Sequence, residues 1–146
     1  MNTSWSYLIL TGTINLKLII FAIQLSFHLL NVILIFEIPD READIHSGKT
    51  NFIVNHGRKN SFPLITILFW FTSIYFFSLA IIGGYSAFIN FYLITILSCI
   101  PLFISIILYL KKSYEQTIAT KSAIQIALSL FLFSISMMAY FIILQF

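Results

Sequence analysis

Four long apolar runs constrain the fold of this chain more than any other feature of its sequence. Each is about twenty residues long, and they lie at residues 16–36, 62–82, 88–110 and 122–144. An α-helix of that length crosses the roughly 30 Å hydrocarbon core of a bilayer and satisfies its own backbone hydrogen bonds there. The sequence therefore predicts an all-α transmembrane protein, with about four membrane-spanning helices in a single region over residues 1–146.

The shortage of charge agrees with a lipid environment. Charged residues make up 9% of the chain, whereas a soluble domain carries roughly 25%. A net charge of +3 is too small to indicate a nucleic-acid partner, so we expect none. The single Cys99 excludes an intrachain disulfide and a cysteine-based metal site.

The basic residues are distributed unevenly between the connections. Seven of the eight Lys and Arg residues lie in segments 37–61 and 111–121, and the connection at 83–87 has none. By the positive-inside rule, both charged segments are predicted to be cytoplasmic loops. We expect a multi-pass protein of the cell's inner or plasma membrane.

The polar segment at residues 37–61 also holds most of the acids. Four of the five lie within eight consecutive positions, namely Glu37, Asp40, Glu42 and Asp44. Asp40 and Asp44 are four residues apart, so on a helix continuing from the first run they share a face, to which Glu37 also belongs. Adjacent carboxylates repel each other unless a cation lies between them. Their oxygens suit Mg²⁺, which commonly takes substrate phosphates as further ligands.

Basic residues follow the acids closely and could neutralise the same phosphates; they are Lys49, Arg58 and Lys59. Gly48-Lys49-Thr50 looks like the end of a P-loop, but position 43 is Ala where a Gly is required, and no strand is predicted before it. The spacing leaves two interpretations open. The cluster is either a metal and phosphate site or an interfacial charge cluster that anchors the end of a helix.

Polar residues within the first run follow a helical period. Gln24, His28 and Asn31 are separated by steps of four and three, so they share one face. Polar side chains inside a span usually face the bundle interior. We expect Gln24 and His28 to make interhelical hydrogen bonds. Asn31, the nearest of the three to the acids, is the best candidate for lining a site.

The run EIPDREADIHSGKTNFIVNHGRK at residues 37–59 resembles the second aspartate-rich motif of the UbiA superfamily of membrane prenyltransferases. The matching positions are Asp40, Asp44, Gly48-Lys49 and Gly57-Arg58-Lys59. The sequence Glu-Ile-Pro-Asp at residues 37–40 is most similar to that of the family members that make menaquinone-type quinones and of related archaeal lipid enzymes. The resemblance covers the chain from about residue 8.

This resemblance implies a fold, a reaction and roles for individual residues. The fold is a transmembrane bundle of about nine helices. The reaction is the Mg²⁺-dependent transfer of an isoprenyl group from a prenyl diphosphate to an aromatic quinone precursor or a lipid acceptor. By resemblance, Asp40 and Asp44 are catalytic Mg²⁺ ligands, and Lys49 and Arg58 contact the diphosphate. Asn31 and Glu37 are expected to support those ligands.

The sequence departs from the family in one large respect. The first aspartate-rich motif has no counterpart, because Glu115 is the only acid outside the cluster, and four spans do not enclose the cavity of a nine-helix bundle. We therefore expect the chain to correspond to the C-terminal part of such an enzyme. Three hypotheses follow: an inactive fragment, a subunit completed by a separate N-terminal half, or a non-enzymatic membrane protein that binds lipid diphosphate or metal.

Overall fold

The chain folds into four long α-helices in the computed structural model, which describes residues 16–82, 90–111 and 114–144. The helices are α1 (Leu16–His46), α2 (Phe52–Ile82), α3 (Phe91–Leu110) and α4 (Gln116–Leu144). No strand occurs within those three ranges. The prediction of an all-α chain with four helices is confirmed.

All four helices are long and apolar enough to cross a membrane. The segments that meet this criterion are Ala22–His46, Phe52–Ile82, Phe91–Leu110 and Gln116–Tyr140, with mean hydropathy from 1.6 to 2.6. Large apolar side chains lie exposed on their outer faces, as Phe36, Phe103 and Ile143 do. Because lipid tails are as apolar as these side chains, that surface suits a bilayer. The chain is a multi-pass membrane protein.

The helices form a ring in which each packs against two others. α2 lies between α1 and α3, and α4 packs against both α3 and α1. The Phe62 ring lies 6.3 Å from the Tyr114 ring, between centroids. This contact brings the α1–α2 turn and the α3–α4 connection to the same end of the bundle. Both segments that are rich in Lys and Arg therefore lie at one end, called here the charged end.

The bundle interior contains two apolar clusters. The larger, toward the charged end, includes Ile35, Ile38, Ile53, Ile65 and Phe69. The smaller includes Phe76, Leu79, Phe91, Ile94 and Phe133. Buried serines join α2 to α3, with the Ser98 hydroxyl donating to the Ser73 hydroxyl at 3.1 Å. Small hydroxyl residues of this kind let membrane helices approach closely.

The helices extend well beyond the apolar runs, so the polar segment at 37–61 is largely helical rather than a loop. α1 continues to His46, α2 begins at Phe52, and only residues 47–51 lie between them. α4 likewise begins at Gln116, upstream of the predicted 122–144 span. The start of the 88–110 span and the connection at 83–87 fall outside the described residues. Hydropathy marks where a helix can meet lipid, whereas capping sets where the helix ends.

Candidate functional site

α1 ends in a Schellman motif that turns the chain toward α2. The Lys49 amide donates to the Asp44 carbonyl at 3.0 Å, and the Gly48 amide donates to the Ile45 carbonyl at 3.1 Å. Gly48 has a φ of 71°, a left-handed conformation that costs an L side chain roughly 1–2 kcal/mol. The backbone alone thus explains this glycine. Since Gly48-Lys49-Thr50 follows a helix rather than a strand, it does not form a P-loop.

Asp44 joins the two helices through both of its carboxylate oxygens. Its Oδ1 accepts from the Lys49 ammonium at 2.8 Å, and its Oδ2 accepts from the Asn51 amide nitrogen at 2.9 Å. The Asn51 Oδ1 accepts from the Val54 backbone amide at 2.8 Å, so Asn51 caps the start of α2. Asp44 is therefore buried in a structural network as well as being a candidate ligand.

Lys49 carries the only ammonium group in this turn, and its side chain is 68% exposed. Its hydrogen bond to the Asp44 carboxylate, and then the charge of that carboxylate, raise the pKa of Lys49 above its ordinary value. The more distant charge of Asp40 acts in the same direction. Lys49 is thus held as a cation at the edge of the acidic cluster.

Arg58 joins α2 to α1 through its guanidinium. Gly57, with φ 75° and ψ 165°, kinks α2 just before it. The Arg58 guanidinium donates to both Glu42 carboxylate oxygens, at 2.6 Å between Nη1 and Oε1, and its Nε donates to the Ile38 carbonyl at 3.1 Å. With only 7% of its surface exposed, Arg58 fixes α2 against α1.

An open cleft of about 670 Å³ lies beside the end of α1 and the 47–51 turn. Its lining residues are Val32, Ile33, Phe36, Glu37, Asp40, Asp44, Gly48, Lys49, Thr50 and Asn51. Three carboxylates and one ammonium line it, so the formal charge of the lining is negative. A cleft with an excess of one charge concentrates counter-ions, in this case cations.

Four of the six candidate residues come together in this acidic cleft, namely Glu37, Asp40, Asp44 and Lys49. Two do not line it. Arg58 is engaged with Glu42, as described above. Asn31, expected to line a site, is fully buried in the bundle, and neither of its amide atoms has a hydrogen-bond partner in the part of the chain that the structure describes.

The donors in the cleft fit a Mg²⁺ ion shared with a phosphate ligand better than one held by protein alone. No group of three or more His, Cys, Asp or Glu side chains is close enough to hold a metal among the described residues. Asp40 is exposed and free to turn. Asp44 uses one lone pair on each oxygen and retains the others. Mg²⁺ bound by one or two carboxylates completes its octahedron with waters and phosphate oxygens.

Two structural residues of this region are not identified by the sequence pattern. Asn51 anchors Asp44 and caps α2; asparagine is a preferred N-cap, a signal that becomes visible only if the helix is placed to start at residue 52. Glu42 pairs with Arg58 across sixteen positions. No local spacing rule links residues so far apart, and only the fold brings them together.

Comparison with known proteins assigns no identity to this arrangement. No protein-family model, curated protein or solved structure matches the chain. Membership of the UbiA superfamily therefore stays a prediction from residues 37–59.

Proposed function

We propose that this chain supplies one Mg²⁺-dependent diphosphate-binding site of a membrane prenyltransferase. The observation that carries the proposal is the juxtaposition of two cavities. The acidic cleft and an apolar cavity of about 240 Å³ share Val32 and Phe36 as lining residues. The apolar cavity is otherwise lined largely by Ile35, Ala127, Leu130 and Phe131. A prenyl diphosphate has the same two parts, a charged head and an apolar chain.

We assign a role to each charged residue of the acidic cleft. Asp40 and Asp44 would hold Mg²⁺, and Glu37 would add negative charge beside them. Lys49 presents an exposed point charge that suits a phosphate oxygen. When bound, Mg²⁺ would neutralise the diphosphate and so make it a better leaving group. We assign Arg58 a positioning role, because its guanidinium already binds Glu42 and the α1 backbone.

The remaining parts of the reaction come from outside the cleft. The two proposed ligands lie on one helix, and the cleft is open, so a second set of acids on a separate N-terminal half would complete the site. The acceptor would be an aromatic quinone precursor or a lipid, which reaches the cleft from the bilayer. By the positive-inside rule the charged end would face the cytoplasm, in the inner or plasma membrane.

A non-enzymatic role is the second candidate, and the bonding of Asp44 favours it. Asp44 and Arg58 both stabilise the α1–α2 hairpin, so the charges could serve only to fix a turn at the membrane surface. The two candidates differ at Asp40. Within the described ranges Asp40 makes no hydrogen bond or ion pair. A purely structural role of the charge cluster therefore does not explain the Asp40 carboxylate.

Binding of farnesyl diphosphate to the purified chain in lipid nanodiscs tests the proposal. We expect saturable binding with Mg²⁺ and loss of binding in EDTA. Asp40→Asn should weaken binding by about tenfold or more, since it removes one charged contact to the bound metal. Glu115→Gln is the matched control, because Glu115 is also an exposed acid but lies on the α3–α4 connection. Binding that is independent of Mg²⁺, or equal in Asp40→Asn and the chain itself, would contradict the proposal.

A further inference from the structure

A third cavity, open on one side like the acidic cleft, lies in the apolar part of the bundle, away from the charged end. It has a volume of about 240 Å³, and its lining residues are Gln24, Leu25, His28, Phe76, Phe133, Ser134 and Met137. These residues belong to α1, α2 and α4. No Asp, Glu, Lys or Arg is among them, so the cavity has no charge with which to bind an ion.

Gln24 is the residue of this cavity that the fold does not explain. Its surface is only 6% exposed, and neither Nε2 nor Oε1 has a hydrogen-bond partner among the described residues. Buried amide groups are nearly always paired, because an unpaired one loses its hydration without compensation. An unpaired amide that lines a cavity points to a ligand that pairs with it.

The other polar groups of the cavity are already bonded to each other. The Ser134 hydroxyl lies 2.9 Å from the Leu130 carbonyl oxygen and 3.2 Å from the His28 Nε2, and it is hydrogen-bonded to both. The His28 ring also lies 5.9 Å from the Phe133 ring, between centroids. The hydrogen bond to Ser134 confirms the expectation of an interhelical hydrogen bond for His28, whereas the same expectation for Gln24 is wrong among the described residues. The Gln24 amide is thus the group available to a ligand.

Size and polarity together define the ligand class. An apolar cavity of about 150 Å³ is enough for a benzene ring, so 240 Å³ takes a substituted single ring. Phe76, Phe133 and Met137 provide the apolar and aromatic contacts that a flat ring prefers. A hydroxyl on that ring can donate to the Gln24 Oε1 and accept from its Nε2. An alkyl chain would leave the amide unpaired, and an ion would lack a counter-charge.

We infer that this cavity binds a neutral aromatic ring bearing a hydroxyl or carbonyl oxygen, with Gln24 as the hydrogen-bonding residue. Gln24 and Asp40 are sixteen residues apart on α1, a separation of roughly 24 Å along a helix axis. The ring site is thus separate from the acidic cleft. The inference does not rest on prenyl transfer, and it stands or falls independently of it.

Such a ring has two sources, a free phenol or the head of a phenol that carries a hydrocarbon chain in the membrane. The ring site is open on one side, so a chain on the ring would have a place to lie in the surrounding lipid. The chemistry at Gln24 is the same for both sources, and the experiment below includes a probe for each.

The test is ¹⁹F NMR of 4-fluorophenol with the purified chain in nanodiscs, referred to protein-free nanodiscs of the same lipid. We expect saturable binding that is about tenfold weaker in Gln24→Leu, and about tenfold weaker for fluorobenzene, which lacks the hydroxyl. Gln125→Leu makes the same change at an exposed position of α4 and should leave binding unchanged. Gln24→Leu removes a buried unpaired amide, so it should fold at least as well as the parent chain.

The second probe is 4-fluorophenol with an alkyl chain beside the hydroxyl. Tighter Gln24-dependent binding of this probe would assign the site to a membrane-borne phenol, and equal binding would assign it to a free one. Signals equal to those of protein-free nanodiscs would show that the cavity binds no phenol and would overturn the inference. Equal binding by Gln24→Leu and the parent chain, with either probe, would also overturn it.

Discussion

The bond between Glu42 and Arg58 offers the sharpest test of how the charged end is built. The resemblance to prenyltransferases implies that Arg58 contacts a substrate diphosphate, whereas the structure places its guanidinium on Glu42 and on the Ile38 carbonyl. Because these two side chains bind each other, Glu42→Gln and Arg58→Gln destabilise the fold through the same contact. Their effects should then be strongly non-additive in a double-mutant cycle.

The size of this coupling follows from the geometry of the pair. A hydrogen bond to a charged group is worth roughly 1.5–3 kcal/mol, so the two bonds of this pair would together be worth about 3–6 kcal/mol. Arg58 is 7% exposed but Glu42 is 38% exposed, and solvent weakens the interaction on that side. Halving the total for this solvent exposure gives about 1.5–3 kcal/mol. We therefore expect a coupling free energy of about 2 kcal/mol, within the range of about 0.5–3 kcal/mol for residues in contact.

The measurement is reversible unfolding of the chain in mixed detergent micelles with increasing dodecyl sulfate, followed by circular dichroism. Arg58→Gln alone should lower the free energy of unfolding by about 2 kcal/mol, because it removes the hydrogen bonds to Glu42 and to the Ile38 carbonyl, while Glu42 stays partly solvated and keeps an ion pair with Arg41. Lys59→Gln is the control, since Lys59 is the exposed neighbour of Arg58 and should change stability little. A coupling below about 0.5 kcal/mol would refute the claim that the pair fixes α2 to α1.

Three further results are expected. Gly48→Ala should cost about 1–2 kcal/mol in the same unfolding assay, whereas Gly48→Asn should cost less, because asparagine tolerates a positive φ. Since the Asp44 carboxylate raises the pKa of Lys49, their contact stabilises the folded chain below the ordinary lysine pKa of about 10.4. That stability is lost as pH rises through the higher folded value, so an alkaline titration of stability should show a loss that Lys49→Met lacks. The chain alone should bind farnesyl diphosphate yet transfer no prenyl group to an aromatic acceptor, which product chromatography checks; transfer by the isolated chain would contradict the need for a second half.

The fold is readable from the sequence to the extent that hydrophobicity determines it. Each apolar run gives one helix because only a helix satisfies the backbone in lipid. The helix ends are not readable in this way. α1 continues through Glu37, Asp40 and Asp44 because the Schellman motif at Gly48 ends the helix only after His46. Since these last turns are polar, hydropathy does not identify them as part of the helix.

The sequence predicts the placement of some candidate site residues but not of others, and the difference has a physical reason. The i, i+4 spacing places Asp40 and Asp44 correctly on one helix, and Lys49 follows in the turn, so local geometry suffices for these three. Arg58 depends on the kink at Gly57 and on a partner sixteen residues away. Those are features of tertiary structure, and a motif that matches by residue type does not reveal where a long side chain points.

Electron paramagnetic resonance of bound Mn²⁺ is the most direct test of the central claim, that Asp40 and Asp44 hold a metal shared with a diphosphate. Mn²⁺ prefers the same octahedral oxygen ligands as Mg²⁺. After unbound metal and farnesyl diphosphate are removed from nanodiscs of the chain, we expect a retained Mn²⁺ signal with ³¹P hyperfine coupling, and loss of both in Asp40→Asn but not in Glu115→Gln. A Mn²⁺ signal without ³¹P coupling, or one that Asp40→Asn leaves unchanged, would contradict the account.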